Sequence, residues 1–598
     1  MTDYIKAFKL LTSQERRRGV LILGVVIIVA LFEAAAVVAI VPFMSALGDR
    51  SVVDTNPFMK RAYDWLGFDT VNEFLMFLGF GAFVLLITAA FVRIWGRYTI
   101  TTYAQMLRAS IETRLLENYL RQPYEFHLNR HSGDLTKSIL SEVDLLVRNV
   151  FQPIADMVSS VFTLLLLVTI LVAYNPWIAL SAMLILGCAY GIIYRVVFRF
   201  INRIGKARTI ANGERYETAI EAIGGIKVIR LLGREKVYLD RFERPTREVS
   251  RNLALDLVLG QVPKYLIEAI TFGSIIVLSV VLLGGAQPGE GGNILPALGL
   301  YAFAGSRILP AIQLIYRATT QMRFGAPGLD AIYNDMMDRD RLLSLPQDQA
   351  TPLSFHENIG LRALSYGYPG SSKAGIFDVT LDIPHGNSVG IVGSTGAGKT
   401  TLVDLILGLL VPASGHIEVD GTPLSAETLR QWQANVGYVP QDIFLSDDTI
   451  TGNIALGLAP EEIDQERVRD CARMAQIDSF IDEELPEGYD TQVGERGVRL
   501  SGGQKQRIGI ARALYHDPEV IVFDEATSAL DNLTEREVMA AVGALQGNKT
   551  IIIIAHRLTT VQMCDQIMLL DKGSKIAQGT FKDLSENNPA FTRMLAAR

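Results

Sequence analysis

The sequence predicts an α-helical membrane domain followed by an α/β domain, and three observations carry that expectation. Six apolar stretches within residues 1–325 are long enough to cross a bilayer. From about residue 353 the pattern changes to short β-type runs alternating with helical ones. The chain as a whole has 598 residues, 49% of them hydrophobic, and a mean hydropathy of +0.25. That value is high for a soluble enzyme and low for a wholly embedded chain, as expected of two materials joined end to end.

The spans fall at about 20–46, 74–106, 150–174, 177–200, 255–284 and 294–322. The first is too long for the apolar core of a signal peptide, and Arg16, Arg17 and Arg18 precede it, which should hold the N-terminus in the cytoplasm. Spans three and four are joined by the short turn Tyr174-Asn175-Pro176, and spans five and six by a Gly/Pro turn at 284–289 that carries no Lys or Arg. The segments after spans two and four are long, helical in pattern and basic, as in Arg195, Arg199, Arg203, Lys206 and Arg208. The positive-inside rule places those loops and both chain ends in the cytoplasm. Between spans one and two, residues 57–66 read as a short amphipathic helix at the outer membrane face. A polar linker is expected over 326–352, ahead of the second domain at 353–598.

Net charge is only −7, which gives no footprint for nucleic acid. The three cysteines, Cys188, Cys471 and Cys564, are far apart and match neither a disulfide framework nor a zinc site.

The second domain carries the chemistry. Val389-Gly390-Ile391-Val392 reads as a buried strand that runs into Gly393-Ser394-Thr395-Gly396-Ala397-Gly398-Lys399-Thr400-Thr401 and then a helix. Strand, glycine loop and helix form the context in which backbone N–H groups close around phosphate oxygens and a helix N-terminus favours their charge. Lys399 is placed to reach the β- and γ-phosphates of ATP, and Thr400 to hold Mg²⁺. A second buried run, Val520 to Phe523, ends in Asp524 and Glu525. Asp524 suits Mg²⁺, and Glu525 is positioned to deprotonate the attacking water. A third element, Leu500-Ser501-Gly502-Gly503-Gln504, opens another helical stretch.

Phosphate loop, Leu-Ser-Gly-Gly-Gln signature and Asp-Glu strand, in that order behind six spans, closely resemble the ATP-binding cassette exporter family over essentially the whole chain. The resemblance implies roles for further residues. Tyr368 would stack on adenine, and Gln441 would be the switch glutamine between Mg²⁺ and the membrane domain. Glu495 would belong to the loop facing the membrane domain, Asp531 to the loop joining the two ATP sites, and His556 would bond the γ-phosphate. Phe523 stands where Leu is commoner, apolar for apolar. In the family, Ser501, Gly503 and Gln504 of one copy complete the ATP site of another. One phosphate loop, one signature and six spans imply a dimer, symmetric by default, with a different half-transporter as the alternative second chain. A channel or regulator on the same scaffold is disfavoured by an intact Glu525 and His556. An importer would usually keep its two parts on separate chains.

The cargo is read from ionisable residues within the spans, which are costly there. They are Glu33, Arg93, Lys264, Glu268 and Arg307. Two readings stand. Arg93, Lys264 and Arg307 bind an anionic cargo, or the charges are spent locally, by Glu33 or Glu268 pairing with Arg307 and by Arg93 and Lys264 snorkelling to an interface. A narrower resemblance favours the first reading. Phe32-Glu33, Ile40-Val41-Pro42-Phe43, the outer segment, Pro263 to Glu268 and Arg307-Ile308-Leu309-Pro310 are together similar to bacterial lipid-linked oligosaccharide flippases. That resemblance implies a polyprenyl-pyrophosphate glycan and a bacterial inner-membrane location, with a general lipid or drug exporter as the alternative.

Overall fold

The computed structural model describes residues 2–48, 50–174, 176–285, 294–337, 343, 350–368, 374–494, 497, 500–525, 532–555 and 557–596. Contacts divide the chain into two units, one of residues 1–122 and 126–342, the other of 123–125 and 343–598.

The first unit is helical. Its main elements are Ser13–Gly48, Val71–Leu120, Gln152–Tyr174, Pro176–Gly224, Glu235–Gly285 and Ile294–Met337, and each predicted span lies in this helical framework. The third begins just ahead of its helix, in a π-helical turn. Among the described residues, Ser13–Leu47, Val71–Leu120 and Ser132–Ile170 are long and apolar enough to cross a membrane. The 50 residues of Val71–Leu120 at about 1.5 Å each far exceed a hydrocarbon layer about 30 Å thick, so this helix extends well beyond any bilayer.

Outside the spans the helices are held by a core of Leu107, Ile111, Leu115, Val143, Leu146, Leu329 and Ile332. Polar ties run through it: Tyr119 Oη donates to Asp335 at 2.6 Å, and Asn118 donates to the Asp335 carbonyl at 2.7 Å. Arg208 and Glu142 form an almost fully buried ion pair at 3.3 Å. The stretch leading into the third span departs from the smooth α-helix its periodicity suggests. Ser138–Glu142 and Val147–Phe151 are π-helical, on either side of the short α-turn Val143–Leu146. Such turns hold an additional residue each, which periodicity alone does not signal.

Residues 57–66 form a helix as expected. Asn56 accepts from the Phe58 and Met59 N–H groups, and Gly67 ends it at φ +68°. Met59 and Tyr63 pack into a small core with Phe74, with the Tyr63 and Phe74 rings edge to face at 5.4 Å. Phe58 and Trp65 stay exposed.

The second unit contains two sheets. Its strands are β1 (Asn358–Gly367), β2 (Ala374–Pro384), β3 (Ser388–Gly393), β4 (Ser414–Val419), β5 (Thr422–Pro423), β6 (Val436–Val439), β7 (Val520–Asp524), β8 (Thr550–Ala555), β9 (Gln566–Asp571) and β10 (Ser574–Gly579). The first sheet has the order β2-β1-β4-β5 and its pairs are antiparallel. The second has the order β10-β9-β3-β8-β7-β6, parallel from β9 to β6. Strands β3, β7 and β8 are buried throughout, as their unbroken apolar runs require of a parallel sheet covered on both faces. Two cores lie on the two faces. Val389, Ile391, Val520 and Val522 join one with Leu402, Val403 and Leu405. Val392, Ile521 and Phe523 join the other with Ile508 and Ile510.

Candidate functional site

In an open parallel sheet the loops at the carboxyl ends of the strands are the place for a ligand. Strands β3 and β7, separated by β8, deliver the phosphate loop and the acidic pair to that end.

The loop after β3 is shaped by its glycines. Gly396 and Gly398 sit at φ +78° and +99°, a region L side chains rarely occupy. A Cβ on Gly398 would lie 2.5 Å from the Gly375 carbonyl, and one on Gly393 only 2.2 Å from that of Leu570. The loop therefore exists only with glycine at these points. Ala397 N–H bonds the Ser394 carbonyl at 3.0 Å, and its own carbonyl accepts from Gly573 at 2.9 Å. Helix Lys399–Ile406 follows directly. Lys399 is folded back over the loop, donating to the carbonyls of Gly393 at 3.0 Å and Ser394 at 3.2 Å. Burial pulls its pKa down, against the opposing pull of Glu525 and Asp524.

Ser394, Thr395, Gly396 and Thr400 are exposed. Thr401 is buried and shares a 3.1 Å hydrogen bond with the Tyr368 hydroxyl. The Tyr368 ring also stands edge-on to Tyr366 at 5.1 Å. The aromatic residue that the resemblance assigns to adenine thus bonds the first turn of the helix that follows the loop.

Asp524 ends β7, 6% exposed. Glu525 is next and has φ +50°, a left-handed conformation that costs a non-glycine residue of order 1 kcal/mol. Its N–H bonds the Ile554 carbonyl at 3.1 Å, tying it to β8. Strain held in place by a neighbouring strand marks Glu525 as a residue whose direction matters. Among the described residues, no group of three or more His, Cys, Asp or Glu could by itself hold a metal ion. The oxygens of Thr400 and Asp524 fit instead a hard cation that takes its remaining ligands from phosphate and water.

Two residues near the acids went unnoticed in the sequence. Tyr438 on β6 donates to Asp524 Oδ2 at 3.2 Å. Asp404, on the helix after the loop, is buried, and burial together with the Asp524 charge pushes its pKa up to about 6. Neither sits in a motif; only the alternation of β6 hints at Tyr438.

Gln441 is exposed just beyond β6. Ser501 is the N-cap of helix Gly502–Tyr515: its hydroxyl accepts from Gln504 N–H, and the Gln504 side chain accepts from Ser501 N–H at 2.7 Å. This reciprocal cap leaves Ser501 and Gly502 exposed at a helix N-terminus, a favourable place for an anion. Gly503 is in the first turn of the same helix. Glu495, Asp531 and His556 lie outside the described residues.

In the first unit, the Arg93 guanidinium pairs with Glu33 at 2.9 Å, and Thr163 donates to the same carboxylate at 3.4 Å. They line a cavity of about 300 Å³ with Arg97, Asp156 and Ser160. A second cavity of about 440 Å³ shares Arg97 and Asp156 and adds Arg148, Asp256 and Arg317. Arg97 and Asp156 are ion-paired. Lys264 faces Glu268 one helical turn on at 4.0 Å. Arg307 lies in helix Ile294–Met337, with its side chain outside the described ones. Arg93 and Lys264 therefore each have an acidic partner, and the one found for Glu33 is Arg93.

Comparisons with known proteins agree with this division of labour. The ABC transporter transmembrane region model matches residues 20–286, and the ABC transporter model matches 376–528. An ATP-dependent lipid A-core flippase of Alkalilimnicola ehrlichii is 28% identical over 577 residues, 96% of this chain and 93% of that protein. One from Cupriavidus metallidurans is 28% identical over 500 residues, covering 83% and 82%. The heterocyst differentiation ATP-binding protein HepA of a Nostoc species is 29% identical over 504 residues, covering 82% and 80%. The structure of a bacterial Atm1-family ABC exporter with ATP bound shares the fold, with a TM-score of 0.79 and 24% identity over 97% of this chain and 98% of that one. Helices built to cross a membrane, joined to a phosphate loop, an Asp-Glu strand end and a Ser-Gly-Gly signature, make this chain a member of the ABC transporter family, an ATP-hydrolysing half-transporter with one membrane domain and one ATP-binding domain.

Proposed function

We propose that the chain works as a homodimeric exporter that flips an amphipathic, negatively charged lipid, a polyprenyl-pyrophosphate-linked oligosaccharide by preference, across a bacterial inner membrane. The supporting observation for the motor is the convergence of the Lys399 loop, Tyr368, Asp524 and Glu525 at one end of the parallel sheet. Tyr368 stacks on the adenine. Loop N–H groups and Lys399 take the β- and γ-phosphates. Mg²⁺ held by Thr400 and Asp524, with Gln441 nearby, would neutralise phosphate charge. Glu525 accepts a proton from the water that attacks the γ-phosphorus, the bond to the ADP oxygen breaks, and His556 steadies the γ-phosphate oxygens. Ser501, Gly503 and Gln504 of the partner subunit close the site, and Asp531 lies between the two sites. Both chain ends and the ATP-binding domain face the cytoplasm.

Support for a second copy comes from the first unit's own surface. Ile223, Val228, Leu231 and Leu232, around helix Ile226–Leu231, are exposed and form an apolar patch, of the kind that marks an interaction site. Ser501 is likewise exposed at the start of its helix, which supports its acting on a nucleotide held by another chain.

Tyr368→Ala is expected to weaken ATP binding by about 3- to 10-fold while leaving maximal turnover within about two-fold, since stacking contributes roughly 0.5–1.5 kcal/mol and touches no phosphate. Titration with ATP would check the split between KM and kcat.

Support for an anionic lipid cargo comes from the charged cavities of the membrane unit and from relatives named as lipid A-core flippases. Guanidinium groups bind phosphate oxygens bidentately and stay charged. Arg93 and Arg307, with Lys264, are the proposed ligands, and a pyrophosphate would compete with Glu33 for Arg93. Neutralising Arg93 and Arg307 to Gln should cut flipping of a lipid-linked glycan in proteoliposomes at least about ten-fold, with ATP hydrolysis within about two-fold; loss of two charge-assisted contacts is worth more than that factor. The Glu33→Gln/Arg93→Gln pair controls for a stranded carboxylate. Normal flipping by the Arg93/Arg307 variant would favour a general lipid or drug exporter.

A further inference from the structure

The edge strand β6 places a phenol against the proposed metal ligand. Its parallel register with β7 pairs Tyr438 with Val522. Asp524 lies two residues further along β7, on the same face as Val522 because side chains alternate. Two residues of strand advance about 6.6 Å, a distance a tyrosine side chain leaning along the strand can cover. Tyr438 packs beside Val520 and Val522 on the face that also carries Leu402 and Leu405 of the helix after the phosphate loop. Its hydroxyl ends 3.2 Å from Asp524 Oδ2, as donor. A carboxylate oxygen accepts, so in this contact the phenol O–H is the donor. Asp404, buried on the neighbouring helix, adds negative charge to this side of the site.

We propose that Tyr438 is a positioning residue for Asp524, holding one carboxylate oxygen so that the group is already turned toward the Mg²⁺ position before nucleotide arrives. This rests on the reading of Asp524 and Thr400 as the Mg²⁺ ligands. Gln441 follows three residues after Tyr438, just beyond the end of the strand.

The test uses Tyr438→Phe in the full-length protein in nanodiscs, which keeps the ring and removes only the donor. Binding of a fluorescent non-hydrolysable ATP analogue is titrated in EDTA and in saturating Mg²⁺, and Mn²⁺ binding to the analogue-loaded protein is followed by electron paramagnetic resonance. In EDTA the variant should match the parent within about two-fold. Its affinity gain from Mg²⁺, and its Mn²⁺ affinity, should both fall about 3- to 10-fold, the scale of one ordinary net hydrogen bond. On an Asp524→Asn background the substitution should have no further effect. An unchanged Mg²⁺ gain, or an equal loss in EDTA, would overturn the proposal and leave Tyr438 as packing. A parent protein that gains nothing from Mg²⁺ would instead overturn the assignment of Asp524 and Thr400, so the two failures are distinct.

Discussion

Glu525→Gln should lower ATP turnover by about 10²- to 10³-fold and leave ATP binding within about two-fold, because positioned proton transfer contributes on that scale. The substitution is nearly isosteric. It keeps the N–H bond to Ile554 at 3.1 Å and the left-handed backbone at φ +50°, and removes only the capacity to accept a proton. ATP should then accumulate uncleaved in a closed dimer, visible as slow nucleotide release and as a cross-link between cysteines at Ser501 of one chain and Ser394 of the other. Near-parental turnover would mean that some other group activates the water. The backbone strain sharpens the prediction. Glu525→Gly would relieve φ yet still lose the rate, so rate and strain can be separated by comparing the two variants' turnover and melting temperatures.

Lys399→Ala should cut ATP affinity by on the order of 10²-fold, the loss of about two charge-assisted hydrogen bonds at roughly 1.5–3 kcal/mol each, less the cost of breaking the bonds Lys399 makes to the loop carbonyls. Those bonds, to Gly393 and Ser394, also brace the loop. The nucleotide-free variant should therefore melt slightly lower, and lose most of the stabilisation that ATP confers on the parent. Equilibrium binding and a thermal melt with and without ATP check both parts. Affinity within three-fold of the parent would remove Lys399 from the phosphate site.

The legibility of this chain in its sequence follows physical lines. The spans are written in apolar runs because lipid admits little else, and helices appear at all of them. The phosphate loop is legible because Gly393 and Gly398 have no room for a Cβ, so the residue type reports the backbone directly. Buried strands β3, β7 and β8 read plainly as short runs dominated by Val and Ile. Side-chain partnerships read poorly. That Glu33 meets Arg93 depends on the rotation of two helices about their axes, which no spacing encodes. The contact from Tyr438 to Asp524 depends on strands 86 positions apart lying side by side, and strand order is a tertiary fact. The left-handed backbone at Glu525 is equally silent, since glutamate does not advertise positive φ as glycine does.

The two π-turns at Ser138–Glu142 and Val147–Phe151 give the membrane unit a local tolerance that its regular α-helices do not share among the described residues. Each turn carries one residue of slack. A single deletion within either can be absorbed by tightening π to α, with the flanking segments keeping their faces. The same deletion a few positions away, in the regular helix Gln152–Tyr174, would rotate everything beyond it by about 100° and swap buried residues for exposed ones. Length variation over 138–151 is thus the cheapest way for this architecture to change how far its third span reaches without changing which residues that span shows to its neighbours.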